Sequence, residues 1–182
     1  MPGADLPLGG LSSYHGKLAS DCPLFTSETH GFVSAGRVMK GRLRTKDVLD
    51  YVAAHGGDEP FREMVVMDAV FVNVDRHAGN YGFIVNNETG EVQGMAPLFD
   101  QNMALLPYLM EHDDLADYLS HQGPKIGRSF VDMARALITP AIRSKLIGLK
   151  DFEYEDPGFG FPRWKLDVAN KLKHDQIAAI LA

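Results

Sequence analysis

At 182 residues the chain is one domain or one large lobe, and a chain of this size buries roughly 70% of its unfolded surface on folding. Hydrophobic residues make up 45% and charged residues 23%, as in a soluble globular protein, and a net charge of −6 argues against bulk binding to nucleic acid or membrane. No apolar run reaches transmembrane length, the opening Met-Pro-Gly-Ala-Asp-Leu-Pro lacks the parts of a signal peptide, and one cysteine, Cys22, excludes an internal disulfide; together these suit a reducing cytoplasm.

Residues 1 to 36 are rich in Gly, Pro and Ser without periodicity and read mostly as loop. Val38 and Met39 are assigned to a short element. Thr45 is placed as the cap of a helix carrying Val48, Leu49 and Val52, with Gly56 as its stop. Asp58 caps, and Glu59-Pro60 opens, an apolar run from Phe61 to Val74. Its residues Met64, Val65, Val66, Met67, Ala69, Val70, Phe71 and Val72 make it apolar on nearly all sides, and such a helix is a buried one. Tyr81 to Val85 reads as a strand, Asn87-Glu88-Thr89-Gly90 as a turn, and Val92 to Phe99 as the returning strand, its end weakened by Pro97.

Helix signals follow to the C-terminus. Asp113 or Asp114 starts a short helix through Tyr118 and Leu119, ended by Gln122-Gly123-Pro124. Ser129 to Ile138 is helical, and Thr139-Pro140 restarts a helix with Ile142, Leu146 and Leu149 on its apolar face. Residues 151 to 161 are a loop, and Pro162 to Leu172 and His174 to Leu181 form two final helices. The expected fold is mostly α with a small β-hairpin. It has a loop-rich segment at 1–36 and a helical domain at 37–182, with a loop at 75–80 and the hairpin at 81–99.

Asp75 falls just past the end of the buried helix, five residues before Asn80. The hairpin is expected to return the chain so that Asp100 comes back beside Asn80. Phosphoryl transfer needs such a set: one carboxylate to accept the proton of the attacking hydroxyl, and an Asn and a second Asp to hold Mg²⁺ on nucleotide phosphates. Positioning and charge neutralisation then do most of the catalysis. Each residue also has a plainer reading: Asp75 as a turn cap, Asn80 as a turn residue, Asp100 as a strand terminator. Arg76 is expected to brace the loop. No second His or Cys stands at ligand spacing, so His77 is expected to pack it rather than bind metal. The acidic run from Glu111 to Asp117 reads as a solvated face.

Asp75-Arg76-His77-x-x-Asn80, followed by Ala96-Pro97-Leu98-Phe99-Asp100, resembles the HipA-like serine/threonine kinases and their phosphatidylinositol kinase-like relatives. Cys22-Pro23-Leu24-Phe25-Thr26 and Gly31-Phe32-Val33-Ser34-Ala35 are similar, more weakly, to the segment before that family's catalytic helix. The convincing part covers residues 60 to 105. The resemblance implies a protein-kinase-like C-terminal lobe, with Asp75 as catalytic base and Asn80 and Asp100 as Mg²⁺ ligands. It implies ATP as phosphate donor and a protein Ser/Thr hydroxyl as acceptor. It also brings the possibility of an antitoxin-like partner, since these kinases are often the toxins of toxin–antitoxin pairs.

Two features depart from the kinase pattern. Gln101-Asn102 follows Asp100 where ordinary protein kinases have Phe-Gly, so switching by a flipping Phe does not carry over. Lys17, Lys40 and Lys46 precede the loop, but none lies in a Val-Ala-x-Lys-like strand, and Gly9-Gly10 lacks the spacing of a phosphate loop. An N-terminal lobe is therefore expected to be absent from this chain, which is short of a two-lobed kinase by about a hundred residues. Three functions remain open: a HipA-like phosphotransferase, whose acceptor is a protein or else a lipid or small alcohol; an inactive kinase-like lobe that binds a partner protein; and a phosphohydrolase using Asp75 and Asp100.

Overall fold

The computed structural model describes residues 10–40, 44–158 and 160–182. The signal-peptide reading of the first seven residues, and the Gly9 half of Gly9-Gly10, lie outside them. The described residues are mixed α/β, with seven helices and five strands in two small antiparallel sheets. That corrects the mostly α expectation, in which one hairpin held all the strands. The chain divides into two compact units, 1–61 with 78–99 and 62–77 with 100–182.

In the first unit, β1 (Gly10–Tyr14) pairs antiparallel with β2 (Lys17–Asp21), where loop was expected. The two-residue connection makes the hairpin. His15 (φ 49°) and Gly16 (φ 73°) are both left-handed, which matches the twist of the strands they join. Strand β3 (His30–Ser34), again in expected loop, opens a three-stranded sheet of order β3-β4-β5, with β4 at Gly82–Asn86 and β5 at Val92–Met95. The β4–β5 hairpin is the expected one. Its turn is held by Asn86, whose Oδ1 accepts from the Glu88 and Thr89 amides. The ladder's last bond runs from Ala96 N to Gly82 O (2.9 Å), and Pro97, with no N–H to give, ends it.

Helix α1 (Ala35–Val38) follows β3 directly, and α2 (Thr45–Ala54) starts one residue earlier than a Thr45 cap would place it, with Arg44 in the cap position. Gly56 (φ 71°) ends α2 as expected: Gly57 N reaches back to Val52 O (2.7 Å) and Gly56 N to Ala53 O (3.3 Å). Val48, Val52, Phe61, Tyr81 and Phe83 form much of this unit's buried interior.

Gly82 shows how tightly β3 and β4 approach. A Cβ there would lie 2.2 Å from Val33 O and 2.8 Å from Ser34 Cα, both backbone atoms. Gly82→Ala is therefore expected to cost about 1–3 kcal/mol by overpacking, since backbone cannot swing aside as a side chain can. A denaturant titration that places the variant within error of wild type would show that the strands are free to part.

The second unit is helical: the body of α3 (Asp58–Phe71), then α4 (Leu115–Ser120), α5 (Phe130–Leu137), α6 (Pro140–Gly148) and α7 (Arg163–Leu181). Local chemistry starts three of them. Asp114, Ser129 and Thr139 each accept a hydrogen bond from the backbone three residues on, and Pro140 takes the first position of α6. The two expected final helices are one. No Gly or Pro interrupts 163–181, and Leu172 and Lys173 at the supposed break are buried. Basic side chains finish α7: Arg135 donates to Ala179 O and Arg143 to Leu181 O. One core joins Val66, Ala69 and Val70 of α3 to Ala134, Ile142, Leu146, Ile177 and Ile180. A second gathers Val72, Leu106, Leu109 and Leu172, with Trp164 packed against it. No helix among the described residues is long and apolar enough to cross a membrane.

Candidate active site

The loop that carries Asp75 begins where α3 stops. Asn73 N reaches back to Asp68 O (2.9 Å), which closes the helix end and puts Val72 in the left-handed region (φ 49°). That conformation costs a β-branched residue roughly 1–2 kcal/mol. Its side chain, 2% exposed, lies in the second core, and its burial offsets the strain. The Phe71 carbonyl, left over by the helix, accepts from Leu105 N (2.7 Å).

Beneath the loop lies a charged network. Arg76 is 2% exposed and forks onto Asp68, Nε to Oδ2 at 2.9 Å and Nη2 to Oδ1 at 3.0 Å. Asn73, 1% exposed, donates its Nδ2 to Asp68 Oδ1 (2.9 Å), and its Oδ1 accepts from the Asp75 amide (3.3 Å). Burial raises the pKa of the Asp68 carboxyl, while Arg76 and Asn73 pull it back down. Sequence reading passed over Asp68 and Asn73. The signal was present: one acid inside the Met64–Val72 apolar run is a buried charge that needs a partner.

Asp75 itself is half-buried. Its Oδ2 lies 3.9 Å from His77 Nε2, and its carbonyl accepts from His77 N (2.8 Å). His77 is exposed.

Residues 78–81 belong to the first unit and are held by α1. Gly36 N donates to Ala78 O and Ala35 N to Tyr81 O, both at 2.9 Å. Asn80 stands between those two anchors and is buried, at 6% exposure. Its neighbour Tyr81 packs on Phe61 at 5.8 Å between ring centroids, and burial pushes its phenol up to about 12.

Asp100 is exposed and left-handed (φ 54°), a conformation Asp tolerates better than most residues. Thus Asp75 and Asp100 belong to the second unit and Asn80 to the first. Among the described residues, no group of three His, Cys, Asp or Glu side chains is arranged to hold a metal ion. In the acidic run, Asp114 caps α4 and Asp113 accepts from Met110 N (2.8 Å).

No protein-family model matches the chain, and no curated protein matches it. Among solved structures it is similar to the crystal structure of a proinflammatory kinase, CtkA, from Helicobacter pylori. The TM-score is 0.61 at 19% identity, over 97% of this chain and 78% of that one. The fold is kinase-like. At that identity the likeness speaks for the kinase-like fold alone; it does not reach the HipA-like family in particular.

Proposed function

We propose that this chain is a phosphotransferase of HipA-like kinase type, passing the γ-phosphoryl group of ATP to a Ser or Thr hydroxyl of a protein. The observation that carries the reading is Asp75, half-exposed at the end of a buried helix in a kinase-like fold, on a loop whose backbone is tied down by Asn73. Asp75 would orient the acceptor hydroxyl and take its proton as the new P–O bond forms. Asn80 and Asp100 would hold Mg²⁺. Their donors, a carboxamide oxygen and a carboxylate, are the hard oxygens that Mg²⁺ prefers. Mg²⁺ also keeps several waters and needs few protein ligands when phosphates supply the rest. Bound Mg²⁺ would neutralise the charge that develops on the phosphates.

Nucleotide binding tests the proposal. At about a hundred times its dissociation constant, Mg²⁺–ATP should stabilise the protein by roughly 2.7 kcal/mol. For a chain of this size that is about 5–10 °C in melting temperature. Asp100→Ala is expected to abolish the shift, and Asp75→Ala to keep it while losing any transfer. No shift at millimolar Mg²⁺–ATP would sink the reading. It would favour the second one, an inactive kinase-like lobe that binds a partner protein. That alternative is motivated by the sequence, which has no Val-Ala-x-Lys-like strand or Gly-rich phosphate loop. For the same reason, transfer by the chain alone is expected to be weak.

A further inference from the structure

We propose that Asp68 is a positioning residue for Asp75, its buried carboxylate fixing the Asp75 main chain through Asn73 and Arg76. Its consequence for catalysis rests on the phosphotransferase reading; the positioning itself does not.

Stability is a poor reason to keep this charge. Buried ion pairs are often replaced by apolar residues of similar volume with no loss, or with a gain. What an apolar pair cannot supply is direction. The two-pronged contact fixes both the plane and the distance of the Arg76 guanidinium, one residue beyond Asp75. Asn73 is fixed more tightly still. Because Asp68 Oδ1 accepts from Asn73 Nδ2, the amide has one sensible orientation, with Oδ1 toward the Asp75 N–H. Without that acceptor the amide is free to turn over and set its NH₂ against the Asp75 N–H, two donors face to face.

The surroundings keep the network rigid. Pro124, Lys125, Ile126, Phe130 and Met133 close over Asp68, Asn73 and Arg76. They leave a cavity of about 10 Å³, room for one water molecule. Bulk solvent therefore has little access to compete for these hydrogen bonds, and the low local dielectric strengthens them.

The experiment compares the whole chain with two variants, Asp68→Leu/Arg76→Met and Asp68→Asn. It reads the melting temperature and, well below it, the exchange rate of the Asp75 amide by NMR. The double variant is expected to melt at or above the wild-type temperature, yet to exchange the Asp75 amide about tenfold faster, the cost of one lost hydrogen bond. Where wild type transfers phosphate, kcat should fall with KM for ATP unchanged. A folded double variant whose Asp75 amide exchanges at the wild-type rate would overturn the proposal. Should that variant not fold, Asp68→Asn decides on the same amide. In wild type, an Asp75 amide exchanging at the rate of an unstructured peptide would also overturn it. Amide exchange needs no nucleotide, so the two readings fail separately: a slow Asp75 amide without a Mg²⁺–ATP shift sinks only the phosphotransferase.

Discussion

An Arg76→Ala protein is expected to melt roughly 6–20 °C below wild type. The substitution removes the guanidinium and leaves the Asp68 carboxylate buried with the Asn73 amide as its remaining described partner. Breaking a buried pair from one side costs about 3–5 kcal/mol, because the orphaned charge is not rehydrated. In a chain of this size each kcal/mol moves the melting temperature by about 2–4 °C. The deficit should depend on pH. Burial already raises the Asp68 pKa, and without Arg76 to oppose it the rise is larger. The folded state then holds a proton that the unfolded chain has released. Stability is fully present below the ordinary carboxyl range and is lost as pH climbs through the raised folded value. Calorimetry at pH 5 and pH 8 checks this: the variant should lose more, relative to wild type, at pH 8. Arg76→Lys keeps the charge but not the fork, and should fall between the two.

Phe61→Ala is expected to cost about 3–5 kcal/mol, the range for emptying a buried aromatic site. Phe61 is wholly buried, and its ring supports Tyr81, the residue after Asn80. The Tyr81 hydroxyl gives the substitution a local reporter. Its pKa is pushed up to about 12 by burial alone, so a cavity that admits water should let it fall toward the ordinary phenol value. Ultraviolet titration of the tyrosines, with a Tyr81→Phe control, measures that fall. A variant that loses stability with its phenol titration unchanged would mean that the cavity collapses rather than fills.

What the sequence made legible was the chemistry that acts over a few residues. Asp114, Ser129 and Thr139 start helices because a short oxygen-bearing side chain reaches an amide three residues away, and that reach is written in the spacing. Gly56 and Pro97 stop their elements for equally local reasons. The strands before residue 35 were not legible. β3 has five residues and gains its hydrogen bonds from β4, some fifty positions later. The β1–β2 turn uses His15-Gly16 rather than Asn-Gly, a weaker signal for the same backbone. α7 was cut in two because polar residues around Lys173 interrupt the apolar stripe, though nothing there breaks the backbone.

At the candidate site, Asp75, Asn80 and Asp100 stood out through the recognisable order of their neighbours. Asp68 did not, because its role depends on being buried, and burial is a property of the folded molecule. Kinase-like architecture was within reach of the sequence through a resemblance, carried by Asp75-Arg76-His77-x-x-Asn80 together with Ala96-Pro97-Leu98-Phe99-Asp100; the Asp-to-Asn spacing alone is a weak signal.

Val72 carries a lesson for anyone who would redesign the hinge between helix and loop. Judged by torsion angles alone, glycine is the residue to install there. Glycine would also widen the range of shapes open to the unfolded chain, and it would withdraw two methyl groups from the packing around Leu106 and Leu172. A backbone relaxed in this way has less reason to hold its course toward Asp75, so the awkward valine acts as a peg that keeps the following residues in place.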